Sequence, residues 1–141
     1  MVMKGRILAV DYGSRRVGLA MSDPLGIISQ GAGVIENNPS LTGKIAGIIR
    51  EQDVRKVIVG VPYAPDGGKG SKALEIDQFI ASLQMVVNVP VETRDESLTT
   101  VEAQRILREG GMKKKQRRRK EHVDEMSARL LLQDYLDTSA D

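Results

Sequence analysis

The sequence predicts a single α/β domain, a mixed five-stranded sheet with helices packed on its faces, and three observations predict it. Three extended, apolar segments follow one another before residue 36, as antiparallel neighbours do. Two further apolar strands then alternate with helical patterns, the arrangement of parallel strands joined by helical crossovers. The chain is 141 residues long, enough to close one core without disulfides or a structural metal, so residues 1–141 read as one domain.

The elements follow in order. Arg6 to Val10 (RILAV) is a short β-rich run of the kind buried on both faces, and it stops at Asp11. Tyr12 to Arg15 reads as a turn in which Gly13 can take a positive φ, and Val17 to Met21 resumes the extended pattern, so the two runs make a hairpin. A third extended stretch runs from Ile27 to Ile35. Pro39 and Ser40 open a helix whose Leu41, Ile45, Ile48 and Ile49 fall on one face. Lys56 to Val59 is the next buried strand, and GVPYAPDGGKG from Gly60 to Gly70 cannot sustain regular structure. A helix from about Ser71 to Gln84 and a strand from Val89 to Thr93 follow. Thr99 and Glu102 form a capping box at the start of the next helix, which Gly110 and Gly111 end. Helical spacing returns from Val123 to Leu136.

Composition narrows the function. There is no cysteine, which removes disulfide frameworks, thiolate metal sites and cysteine nucleophiles, and suits a reducing cytoplasm. No apolar run approaches bilayer length, and MVMKGRILAVD reaches a carboxylate before a signal-peptide core could form, so a cytoplasmic protein without a membrane partner is expected. The net charge of +2 hides an uneven distribution: Lys113 to Lys120 (KKKQRRRK) holds seven of the 21 basic residues, and the rest of the chain is acidic overall. One basic strip on such a body points to a localised polyanion contact, and nucleic acid leads. Arg15, Arg16, Lys113, Lys114, Lys115, Arg117, Arg118, Arg119 and Lys120 are the candidate phosphate contacts. With no Trp, one Phe and three Tyr, the chain lacks an obvious base-stacking platform, so recognition should rest on backbone and shape.

Three acidic positions lie where a buried element meets a turn. Asp11 ends the first strand, Asp95 and Glu96 follow the last, and Asp124 begins the final helix at the head of an otherwise mostly apolar stripe through Ala128, Leu131 and Tyr135. Singly, each has an ordinary explanation: an Asx-turn for Asp11, preparation of the next helix for Asp95 or Glu96, helix-dipole compensation for Asp124. In an open α/β sheet, however, sites form beyond the strand ends where loops converge. Carboxylates gathered there repel by roughly 4 kcal/mol per pair at 4 Å and an effective dielectric near 20, so the cluster needs a cation. Oxygen ligands with no cysteine and one histidine, His122, select magnesium or manganese over zinc. Two such ions would support in-line phosphodiester hydrolysis. His122 itself reads as a surface or capping residue.

AVDYGSRRVGLA at 9–20, VIVGVP at 57–62, DESLTTVEA at 95–103 and HVDEMSARLLL at 122–132 together resemble the YqgF family, also called RuvX, in the right order over nearly the whole chain. The resemblance implies a ribonuclease H-like fold related to the RuvC Holliday-junction resolvases. It implies a nuclease that matures the 5′ end of pre-16S rRNA in ribosome biogenesis, associated with a ribosome precursor, or one that resolves branched DNA. Carried over by position, Asp11, Glu96 and Asp124 become the catalytic, metal-binding acids, with Asp95 the competitor for the second place. Two positions depart from the family pattern: Ser97 stands where arginine is usual, and Glu125 where serine is usual. The first weakens phosphate contact, and the second brings a rival carboxylate toward the site.

Two other classes compete. Asp-Tyr-Gly-Ser-Arg also resembles the first phosphate loop of actin-like ATPases and sugar kinases, but those enclose nucleotide between two such domains, and GVPYAPDGGKG lacks P-loop spacing. The other is a nucleic-acid-binding module without catalysis. Structured RNA is the favoured substrate, branched DNA the alternative, and the oligomeric state is not written in the sequence.

Overall fold

Five strands form one sheet in the order β3-β2-β1-β4-β5. The structure, a computed structural model, describes residues 5–62, 70–95 and 116–138, with side chains in the last stretch from residue 123 onward. The strands are β1 (Arg6–Tyr12), β2 (Arg16–Ser22), β3 (Ser29–Glu36), β4 (Val54–Val61) and β5 (Val91–Asp95), and the helices are α1 (Leu41–Glu51), α2 (Ser71–Gln84) and α3 (Gln116–Thr138). β1 pairs antiparallel with β2, and β2 with β3; β4 runs parallel to β1, and β5 parallel to β4. The expected three antiparallel strands followed by two parallel ones are therefore present.

Strand alternation assigns the two faces. Leu8, Val10, Val17, Leu19, Val57 and Val59 pack under α1 and α2, against Ile45, Ile49, Ile76 and Leu83. Ile7, Ala9, Ala20 and Ile58 form the opposite face, covered by Ala128, Leu131, Leu132 and Tyr135 of α3. β1 and β4 are central and buried on both sides, which is why they read as continuous apolar runs. No helix among the described residues is long and apolar enough to cross a membrane.

Several boundaries differ from the sequence reading. β1 continues through Asp11 to Tyr12, so Asp11 lies inside the ladder. β3 begins at Ser29, because the Asp23 carboxylate accepts the amides of Leu25, Ile27 and Ile28 and folds that segment into a loop. Those amide hydrogen bonds, Ile28 first, hold the Asp23 carboxyl below its ordinary pKa. β5 spans Val91–Asp95, two residues beyond the expected end, so Asp95 closes the strand. The largest difference is α3, which starts at Gln116 and not at Val123. Residues 116–122 (QRRRKEH) are mostly good helix formers without apolar periodicity, so helix-forming propensity, and not the apolar pattern, marks this start. The capping-box helix expected after Thr99 lies outside the described residues.

The C-terminal turns of α3 are fastened to the far side of the sheet. Lys56 of β4 donates to the Tyr135 hydroxyl at 2.7 Å and pairs with Glu92 at 3.0 Å, while Arg94 of β5 pairs with Asp134 at 3.0 Å and lies over the Tyr135 ring. The Tyr135 hydrogen bond, then the Glu92 contact, outweighs desolvation and raises the Lys56 pKa above its ordinary value. A raised lysine pKa stabilises the fold fully below the unfolded value, about 10.4, and the contribution fades as pH rises through the folded one. Lys56→Met is accordingly expected to cost about 1–2 kcal/mol at pH 8 and less above pH ~11, read from urea midpoints at the two pH values.

Candidate active site

β1, β4 and β5 run parallel and point their C-terminal ends to one edge of the sheet, the edge at which the β1–β2 turn also lies. Asp11 stands there on the α3 face, continuing the line of Ile7 and Ala9, and it is buried at 8% exposure. Its neighbour Tyr12 points the other way, donates to Glu75 of α2 at 3.1 Å and stacks on Phe79 with ring centroids 4.7 Å apart. That anchor sets the phase of the strand end and so holds Asp11 on the α3 side.

The register partner of Asp11 across the hairpin is Gly18. A Cβ on Gly18 would lie 2.1 Å from the Asp124 carbonyl oxygen, so α3 rests its backbone directly on this strand position. Paired antiparallel residues have Cα atoms about 4.5–5.5 Å apart, so Asp124 is brought beside Asp11 through Gly18. The opposing small residues make room: Ala9, Gly18 and Ala20 line this face under the helix. A glycine inside an apolar strand marks such a close approach, and Gly18 in RVGLAMS carried that signal.

Asp124 is not a first-turn residue. It sits eight positions past Gln116, more than two turns into α3, so compensation of the helix dipole does not explain it. Its carboxylate accepts from Arg16 Nε at 3.3 Å, with both side chains about one-third exposed, at 32% and 29%. Arg16 opens β2 on the α3 face, and its guanidinium meets a carboxylate in this structure. Arg15 is exposed in the turn. That turn is tightly clamped: Asn37 donates its side-chain amide to the Gly13 carbonyl at 2.7 Å and its backbone N–H to Arg15 at 2.9 Å. Gly13 does not adopt a positive φ. It is required for space, since a Cβ there would sit 2.4 Å from the Arg16 carbonyl oxygen. Asn37 was not singled out in the sequence, where nothing marks it as touching a turn 24 residues earlier.

Asp95 falls on the other face. Val91 packs with the α1/α2 core and Arg94 reaches Asp134 of α3, so alternation puts Asp95 on the side of Val91, away from Asp11. It lies two strands over from β1, roughly 10 Å. Glu125 is also directed elsewhere: its carboxylate accepts the Gly33 amide of β3 at 2.6 Å and covers Gly31. Glu96, Ser97, Lys113, Lys114 and Lys115 lie outside the described residues, as do the side chains of Arg117, Arg118, Arg119, Lys120 and His122.

Among the described residues no group of three or more His, Cys, Asp or Glu side chains could hold a metal ion. The described pair, Asp11 and Asp124, still fits a hard cation: both offer carboxylate oxygen, and magnesium is commonly held by one or two carboxylates with water and phosphate completing its shell.

A family model described as "RuvX: Holliday junction resolvase" matches residues 5–138. A protein of Koribacter versatilis named "Putative pre-16S rRNA nuclease" is 41% identical over 135 residues, covering 94% of this chain and 87% of that protein. One of the same name from Halothermothrix orenii is 41% identical over 133 residues, covering 93% and 94%. Among solved structures, T. thermophilus RuvC in complex with Holliday junction substrate shares the fold with a TM-score of 0.59 over 96% of each chain, at 12% sequence identity.

Proposed function

The chain belongs to the RuvX family, and from that premise we propose that it is a divalent-metal-dependent endonuclease that hydrolyses phosphodiester bonds in nucleic acid, with Asp11, Glu96 and Asp124 as its acids. The observation that carries the proposal is the seating of Asp124 on Gly18, opposite the buried Asp11, at the edge where the parallel strands end. Glu96 is preferred to Asp95 for the second position because Asp95 stands on the α1/α2 side, away from Asp11.

Magnesium or manganese, as one ion or a pair, would be held by these carboxylates and would supply Lewis-acid stabilisation of the phosphate and a more acidic hydrolytic water. The protein groups do the rest. Asp11 is fixed by the ladder and by the Tyr12 anchor, so its oxygens need little reorganisation. Asp124 is held by the packing of α3. Arg15, Arg16 and the 113–120 strip bind phosphates and position the backbone without reading bases.

The substrate is structured RNA, with 5′-end maturation of pre-16S rRNA the favoured role, and the relatives' shared name supports it. Cleavage of pre-16S rRNA and of a four-way DNA junction, side by side with magnesium and with manganese, is expected to favour the rRNA. Cleavage of the junction alone would assign the protein to branched DNA, and binding of either without cleavage would make it a module without catalysis.

A further inference from the structure

Arg16 occupies a position that the proposed chemistry leaves with two partners to satisfy. Its Nε lies 3.3 Å from Asp124 Oδ2, and a cation held by Asp124 would need that same carboxylate. The hairpin backbone cannot withdraw Arg16, because Asn37 ties down both Gly13 and Arg15. The side chain can move: both members of the pair are about one-third exposed, at 32% and 29%, and ion pairs of that kind are weak and exchangeable.

We infer that Arg16 is an internal counter-ion for Asp124 that a divalent cation must displace, so that it sets the metal affinity of the free protein and releases its guanidinium toward phosphate only when the site is loaded. The inference rests on the metal-site reading above and adds a regulation to it. Without metal, Arg16 neutralises Asp124 and relieves its repulsion with Asp11. With metal, the two positive charges oppose each other at Asp124, and Arg16 is driven toward the nearest remaining anion. In a nuclease that anion is the substrate backbone, and a guanidinium matches phosphate geometry. Metal and nucleic acid thereby favour each other's binding, as two ligands linked through one exchangeable contact must.

The test is manganese binding by calorimetry, without nucleic acid, to the unmodified protein, Arg16→Gln, Asp11→Asn and Arg50→Gln, the last a remote charge control on α1. Arg16→Gln is expected to tighten manganese binding about threefold to tenfold, and Arg50→Gln to leave it unchanged. Equal affinities in Arg16→Gln and the unmodified protein would overturn the inference, as would equal tightening by Arg50→Gln. If Arg16→Gln does not fold, the Nε–Hε resonance of Arg16 in the unmodified protein decides. A shift on adding magnesium supports displacement, and an unmoved resonance in a protein that binds the ion overturns it. Manganese binding that is absent, or indifferent to Asp11→Asn, would instead sink the metal-site reading itself, so the two failures are distinguishable.

Discussion

Asp11→Asn is expected to slow phosphodiester cleavage by roughly a hundredfold to a thousandfold, the scale seen when one preorganised electrostatic group is removed from an active site. Nucleic-acid binding should persist, because the basic residues proposed to contact phosphate are untouched. The exchange is nearly isosteric and removes a buried negative charge, so the melting temperature in chelator should hold or rise. A carboxylate kept only for an Asx-turn or for packing would behave differently. Its loss would lower the melting temperature and leave the rate per folded molecule intact. Single-turnover cleavage and thermal melts on the same preparations separate the two cases.

Gly18→Ala should have the largest effect on the fold. The added methyl would meet the Asp124 carbonyl at 2.1 Å, and the obstacle is helix backbone and not the end of a flexible side chain. Overpacking of this kind costs about 1–3 kcal/mol and occasionally more. The upper end is expected here, since α3 is also fastened at Lys56 and Arg94 and cannot shift as a unit without breaking those contacts. For a domain of this size that is a fall of about 10 °C in melting temperature, with cleavage reduced even well below the transition as Asp124 is lifted from Asp11. Gly43→Ala is the matched control: nothing lies within 4 Å of its added carbon, and alanine favours helix α1 by up to about 1 kcal/mol. If Gly18→Ala melts like Gly43→Ala, the helix does not rest where it is described.

The sheet was legible because its strands are short apolar runs of a kind set by burial, and α2 fell within the same limits in sequence and structure. What the sequence concealed arises from contacts between distant residues. Ile27 looks like strand but leaves the ladder because the Asp23 carboxylate captures three amides. Asp124 looks like the head of a helix because the polar turns before it carry no periodicity. Asp95 and Glu96 are adjacent carboxylates in the sequence, and only the pleat of β5 separates the side on which Asp95 stands from that of Asp11. The pairing of Arg16 with Asp124 spans 108 residues, and charge alone did not distinguish it from a phosphate contact.

α3 also works as a ruler. Lys120 and Asp124 belong to one continuous helix, four residues or about 6 Å apart along its axis, and Gln116 is about 12 Å from Asp124. On the proposed reading, with Lys120 a phosphate contact and Asp124 a catalytic acid, the interval between the contacted phosphate and the cleaved bond is set by helical pitch. One residue inserted between Lys120 and Val123 would turn the basic segment by about 100° around the rod while Asp124 stayed clamped to the sheet.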